Sequence, residues 1–261
     1  MNEPLSFEPW WGEVSPRDTG SVALRIGPAR VFLARLEHEW RLGLLRGGEE
    51  SSTVTEPAAP VAAIPDEAAV ERFVFKIPAT GARLAPAAAD RPVVSRPINP
   101  LNIPVGEETR LYVSSPVWLR VTVDGATLIE WPLERPTDSW FGPSTMEGEA
   151  CYAIKILGRT RLDDVVWRPH RAVTPVRVVN EGDAPLRLAR LALPAPNLSL
   201  YGAANGKLWT SALTARASRE GSVAVEVETG APKEAGAAVE LCGPRKDEAG
   251  SFLRSVTAIF G

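Results

Sequence analysis

The sequence predicts a mostly β protein, built as one antiparallel β-sandwich or as two in tandem. Short apolar runs are separated throughout by turn residues, and the 261 residues include 24 prolines and 21 glycines. Several runs alternate apolar and polar residues with a period of two, which is typical of half-buried strands. No repeat at the spacing of propellers or solenoids is visible. A sandwich of short strands fits these observations best.

Residues 1–92 are predicted to form an N-terminal β module. Apolar runs on both sides of Gly27-Pro28 predict a hairpin or a bent strand pair, and residues 40–44 alternate as a half-buried strand does. Residues 47–65 are rich in Ser, Thr, Glu, Ala and Pro and lack aromatic anchors, so they predict a mobile loop.

Residues 93–261 are predicted to form a C-terminal β-sandwich domain. The closely spaced prolines of residues 97–104 exclude a helix and predict an extended edge segment. Residues 117–123 alternate, and Asp124-Gly125 predicts a tight hairpin turn, because both positions of such a turn favour positive φ. The return strand covers residues 126–131.

The later part of this domain continues the strand pattern up to its last residues. Leu186 and Leu188 face one way, but Leu191 and Leu193 have the opposite parity, which predicts a bulge or a crossing between two sheets. Asn205-Gly206 predicts another hairpin. The final apolar residues recur at helical spacing and predict a short C-terminal helix; they are Phe252, Leu253, Val256, Ile259 and Phe260.

Composition limits the classes of partner and the compartment. The net charge of −3 gives no general attraction for nucleic acids, which we do not expect as partners. No apolar stretch is long enough for direct membrane insertion. The first residues lack a basic region followed by an apolar run, so we expect a cytoplasmic protein. In a reducing compartment the two cysteines, Cys151 and Cys242, are expected to be free thiols.

The sequence contains none of the usual cofactor or metal motifs. No Gly-rich phosphate loop joins a strand to a helix, and no Cys-x-x-Cys pair is present. The only histidines, His38 and His170, are far apart in the chain. We therefore expect neither a cofactor nor a metal ion.

The alternative function, if the protein is an enzyme, is that of a thiol-dependent hydrolase. Cys151 would be the nucleophile and His170 the base, with Asp163 or Asp164 as the carboxylate that orients the base. The run that starts at Cys151 is equally typical of a strand with an inward-facing cysteine. The sequence therefore favours a protein that binds rather than catalyses.

Aromatic and cationic residues near turns point to a binding surface. Trp140, Phe141, Trp167, His170 and Arg171 combine rigid aromatic rings with positive charge. Such rings give a large contact area at a small entropic cost. We predict that these five residues contact a protein partner or a second copy of the chain. A carbohydrate-binding module is a second alternative.

Basic residues are locally in excess over residues 155–190. Arg168, Arg171 and Arg177 could form a patch for an anion or an acidic partner. Solvated strand faces would explain the same charges equally well.

Four groups of residues, in this order, resemble the uncharacterised family called domain of unknown function 432 (DUF432). They are residues 97–100 with 103–104, residues 111–117, residues 141–142 followed by Gly148 and residues 151–152, and residues 176–180 leading to 198–201. The resemblance assigns no activity, so no functional residue is carried over. Members of this family are often encoded beside small mechanosensitive channels, which implies such a channel as a partner.

Overall fold

The computed structural model describes residues 6–16, 19–47, 53–142, 146–219, 222–246 and 251–255, which contain β-strands and three short 3-10 turns but no α-helix. The strands are β1 Gly12–Val14, β2 Ser21–Ile26, β3 Ala29–Arg35, β4 Glu39–Arg46, β5 Thr55–Val61, β6 Ala69–Val74, β7 Ala82–Ala87, β8 Val93–Ser95, β9 Leu101–Ile103, β10 Glu108–Pro116, β11 Trp118–Val123, β12 Ala126–Pro132, β13 Thr137–Phe141, β14 Glu149–Ala153, β15 Arg171–Asn180, β16 Leu186–Leu188, β17 Leu191–Leu193, β18 Leu200–Ala203, β19 Leu208–Thr210, β20 Leu213–Ala217, β21 Ser222–Val227, β22 Ala238–Cys242 and β23 Ser251–Ser255. The predicted fold class, mostly antiparallel β, is confirmed.

The N-terminal strands form a five-stranded antiparallel sheet in the order β5-β2-β3-β4-β6. The predicted hairpin is present, with β2 and β3 joined at Gly27, whose φ is +57°. Alternation along the strands directs Leu24 and Leu33 into the main core. The opposite face packs Phe32 against Ala68, which lies just before β6.

The prediction of a mobile loop over residues 47–65 was wrong where the structure describes a strand. Residues 55–61 form β5, which pairs with β2 at the edge of the sheet. Pro60 lies opposite Val22, and Pro57 falls where the register shifts. An edge strand tolerates proline because one side of it needs no ladder donors. Residues 48–52 lie outside the described residues.

A four-stranded sheet, in the order β1-β7-β11-β12, contains the predicted Asp124-Gly125 hairpin. Val123 pairs with Ala126, and both turn residues have positive φ, +48° at Asp124 and +82° at Gly125. These values identify the primed turn that the sequence predicted.

The largest sheet is built around β15, which pairs antiparallel with β10 and parallel with both β19 and β20. Pro175 lies between the residues of β15 that pair with β19 and those that pair with β20. A proline therefore fits this central strand, because its missing N–H falls where the parallel partner changes. The predicted Asn205-Gly206 hairpin joins β18 to β19.

Two further predictions from the strand pattern are confirmed, the first of them in part. In the proline-rich segment of residues 97–104, residues 101–103 form β9 in a two-stranded sheet, whereas residues 98–99 lie in a bend. The change of parity between Leu188 and Leu191 is a crossing between sheets, because β16 pairs with β9 whereas β17 pairs with β8.

The predicted C-terminal helix was wrong over residues 251–255, which form β23 and pair with β21. The spacing of two adjacent apolar residues, Phe252 and Leu253, does not distinguish a strand from a helix in so short a segment. Strand pairing at the edge of the large sheet decides the outcome. Val256, Ile259 and Phe260 lie outside the described residues.

One cluster of buried residues contains side chains from the five-stranded sheet, such as Trp40, and from the large sheet, such as Val178. The division into residues 1–92 and 93–261 stays a prediction.

None of the described segments forms an apolar helix of membrane-spanning length.

Candidate functional site

A pocket of about 190 Å³ lies where the chain segments after β12 and β14 meet the segment before β15. Its charged lining residues are Glu134, Arg135, Lys155, Arg168 and Arg171, and we call the site the basic pocket. Four cations and one carboxylate give the lining a formal charge of +3, the opposite sign to the chain as a whole.

Backbone contacts bring these segments together. Leu133 is fully buried, and its N–H donates to the carbonyl of Val117, which turns the chain after β12 inward and places Glu134 beside β15. The N–H of Val117 in turn donates to the carbonyl of His170. Pro116 and Arg171, where β10 ends and β15 begins, are register partners and both line the pocket.

Arg171 is 3% exposed, and its guanidinium is held from two sides. Nε donates to Ser114 Oγ at 3.1 Å, and a terminal nitrogen donates to the Ser114 carbonyl at 2.7 Å. The other terminal nitrogen donates to Glu134 Oε1. A buried guanidinium requires such partners, because an unpaired charge in the interior is strongly unfavourable.

His170 completes the buried ion network, which consists of Ser114, Glu134, His170 and Arg171. Its side chain is fully buried, and Nε2 lies 3.2 Å from Glu134 Oε2. Among the described residues, neither ring nitrogen makes a hydrogen bond of regular geometry, so the contact between Nε2 and Glu134 is electrostatic. The imidazole also packs against Gly27, where a Cβ atom would lie 2.1 Å from Nδ1. The network therefore ties the β2–β3 turn to the start of β15.

Burial and charge set the protonation of the network. Burial lowers the pKa of His170, the positive charges of Arg171 and Arg168 act in the same direction, and Glu134 opposes them only in part. Burial alone would raise the pKa of Glu134, but the neighbouring His170 and Arg171 outweigh it and lower that pKa. We therefore expect a neutral imidazole beside an ionised carboxylate near neutral pH.

The remaining cations add to the positive charge of the pocket. Arg135 and Lys155 are exposed at its mouth, and Arg168 is half-buried deeper in the lining. Burial, followed by the charge of Arg171, lowers the pKa of Arg168. A bound carboxylate would offset both effects. The arrangement can therefore hold one small anionic group by charge-assisted hydrogen bonds.

The structure places the five predicted contact residues in four different surroundings. Trp140 is 47% exposed, whereas the adjacent Phe141 is buried against Cys151. Trp167 packs in another cluster, edge-on to Trp209 at 4.9 Å. His170 and Arg171 are buried in the ion network and cannot present a surface to a partner, although Arg171 lines the basic pocket.

The residues of the alternative catalytic triad have separate partners. Cys151 is fully buried in an apolar cluster with Phe141, and burial raises the pKa of its thiol. His170 contacts Glu134, while the Asp163 side chain is 86% exposed and lies near Arg161. No contact among the described residues joins Cys151 to His170 or Asp163. A thiol with a raised pKa and no exposed surface lacks the features of an activated nucleophile.

We predict that Cys151 does not react with a thiol probe in the native protein at neutral pH. Cys242 is also buried, at 8% exposed, and its sulfur accepts a hydrogen bond from Arg120, so the variant Cys242→Ser isolates Cys151 for the measurement. Labelling followed by mass spectrometry should show modification only after denaturant is added. Rapid labelling of the folded protein at Cys151 would contradict this prediction.

The predicted anion patch consists of Arg168, Arg171 and Arg177, and the structure brings only the first two of them to the basic pocket. In the structure Arg177 forms an exposed ion pair with Glu108 at the other end of β15. Glu134 was not singled out, because it is one of many acidic residues in the chain. Over the described residues, no group of three or more His, Cys, Asp or Glu side chains is arranged to hold a metal ion.

Comparison with known proteins gives one finding. The model of the family described as "Protein of unknown function (DUF432)" matches residues 10–260. Neither the curated proteins nor the solved structures contain a significant match to the chain.

Proposed function

We propose that this chain, which belongs to the DUF432 family of proteins of unknown function, is a non-enzymatic interaction module that binds an acidic segment of a partner protein in the basic pocket. The observation that carries the proposal is the formal charge of +3 on the lining of a preformed pocket, in a chain whose net charge is −3. Because the chain as a whole has a net negative charge, its overall field does not attract anions, and the positive lining of the pocket supplies a local attraction.

The size of the pocket favours one acidic side chain over a larger ligand. Its volume of about 190 Å³ is below the range of roughly 300–1,000 Å³ that is usual for drug-sized ligands. Since Arg135 and Lys155 are exposed at the mouth, the rest of a partner could continue outside. The channel partner implied by the family resemblance is part of this proposal, with the soluble portion of the channel as the acidic partner.

The test measures binding of a fluorescein-labelled peptide that contains a single glutamate, with the glutamine peptide as the neutral reference. The double variant Arg135→Glu, Lys155→Glu changes the pocket charge from +3 to −1, since two positive charges become negative. We expect it to weaken binding about tenfold or more, which corresponds to about 1.4 kcal/mol. Both side chains are exposed, so folding should be retained.

The matched control is Lys76→Glu, Arg161→Glu, which makes the same change of net charge at exposed positions outside the pocket. We expect the control to bind like the unmodified protein at moderate salt, where distant charges are screened. Equal losses in both double variants, or equal binding of the glutamate and glutamine peptides, would refute the pocket as the binding site.

A further inference from the structure

We infer that the acidic segment binds as an extended strand along the outer edge of β13, with its acidic side chain in the basic pocket and an apolar side chain against Trp140. This inference rests on the proposed function and adds the mode of binding. Addition of a peptide strand to a sheet edge supplies main-chain hydrogen bonds, while pockets for alternate side chains supply specificity.

The order of the strands leaves β13 at the end of its sheet. That sheet runs β13-β14-β8-β17, and among the described strands none pairs with β13 on its outer side. Residues 137–140 are all exposed. The edge therefore differs from β5, where Pro57 and Pro60 remove donors from an edge strand.

The register shows which backbone groups of β13 point outward. The N–H of Tyr152 in β14 donates to the carbonyl of Pro92 at 2.9 Å, on the side of β14 that faces away from β13. Asp138 is the register partner of Tyr152. Because antiparallel partners alternate between hydrogen-bonded and non-hydrogen-bonded pairs, the N–H and C=O of Asp138 must point away from β14. They are the groups that an added strand would use.

The two specificity elements lie along the same edge. Pro136 and Thr137 line the basic pocket where β13 begins, and Trp140 exposes 47% of its surface further along. Pro136 and Trp140 have the same parity and are four residues apart, which corresponds to about 13 Å in a strand. The ligand therefore carries an acidic and an apolar residue four positions apart.

Local charges are compatible with an acidic ligand at this edge. The carboxylate of Asp138 accepts a hydrogen bond from Arg91 at 3.0 Å, which offsets its charge. The net positive charge lies at the end of β13 next to the basic pocket. Electrostatic attraction therefore orients the ligand with its acidic residue at that end.

The probe is an acetylated and amidated threonine-rich octapeptide with one glutamate and one valine four positions apart. We compare Asp138→Pro, which removes the outward N–H, with Asp138→Ala, which removes the same carboxylate but keeps the N–H. We expect Asp138→Pro to bind about tenfold more weakly than Asp138→Ala, because a main-chain hydrogen bond is lost and the proline ring also blocks the approach of the strand. Trp140→Ala should abolish the preference for valine over threonine at that position.

Hydrogen exchange gives a second measurement that needs no proline variant. The Asp138 amide of the unmodified protein should exchange more slowly when the probe is bound. If it does not, and if Asp138→Pro binds like Asp138→Ala, strand addition is refuted. If the Arg135→Glu, Lys155→Glu variant still loses binding in that case, the basic pocket remains the binding site and only the proposal of an added strand is refuted. If the charge reversal has no effect either, the proposed function fails as well.

Discussion

Replacing Gly27 with alanine is expected to destabilise the protein by about 3 kcal/mol or more. A Cβ atom at this position would lie 2.1 Å from Nδ1 of His170, whose side chain is fully buried. Overpacking of a core costs about 1–3 kcal/mol, and the left-handed backbone at φ +57° adds about 1–2 kcal/mol for a residue with a side chain. Chemical denaturation, monitored by tryptophan fluorescence, measures the loss.

Two comparisons separate the clash from the backbone effect. Gly125 has a φ of +82°, but a Cβ atom there would meet nothing within 4 Å, so Gly125→Ala should cost only about 1–2 kcal/mol. In the background of His170→Ala, which removes the obstructing ring, the added cost of Gly27→Ala should fall to the same range. If Gly27→Ala and Gly125→Ala destabilise equally, the contact between Gly27 and His170 does not constrain the fold.

The Gly27 turn shows how far the sequence alone can lead. The hairpin around Gly27-Pro28 was predictable, because turn residues act locally on the two strands they join. The Asp124-Gly125 and Asn205-Gly206 hairpins were predictable for the same reason. The contact between Gly27 and His170 was not predictable, because 143 positions of chain separate the two residues (170 − 27). A local sequence pattern does not indicate a contact between residues so far apart.

The same limit applies to the candidate site. His170 and Arg171 were chosen from the sequence as contact residues because of their charge near a turn, but burial decides their role. A charged residue is rarely buried unless it is paired. The partner that permits burial, Glu134, belongs to a different segment, so its importance appears only when the pairing of β10 with β15 brings the segments together.

The two wrong predictions concern segments whose apolar pattern does not distinguish a strand from a loop or a helix. Residues 55–61 contain two prolines and few large apolar side chains, and their strand exists because β2 offers an edge to pair with. Residues 251–255 have an apolar spacing that fits either element, and pairing with β21 selects the strand. In both segments tertiary context overrides local propensity.

Replacing Glu134 with alanine is expected to cost about 3–5 kcal/mol of stability, as is usual when one partner of a buried ion pair is removed. Arg171, at 3% exposed, would keep its bonds to Ser114 but lose the carboxylate of Glu134, and Arg168 and His170 would lose the same anion. The control Glu108→Ala removes an exposed pair with Arg177 and should cost at most about 1 kcal/mol. Equal losses in the two variants, measured by chemical denaturation, would contradict a structural role for the buried ion network.

Glu134→Ala also separates stability from binding. Removal of the carboxylate raises the formal charge of the pocket from +3 to +4, because Glu134 supplies the one negative charge among the described lining residues. The folded fraction should therefore bind the glutamate peptide more tightly than the unmodified protein does, although the variant unfolds at a lower denaturant concentration. Lower stability together with tighter peptide binding is expected only if Glu134 both stabilises the lining and reduces its net positive charge. Fluorescence anisotropy below the unfolding transition measures the binding, and weaker binding by the folded variant would show that Glu134 instead positions the cations for the ligand.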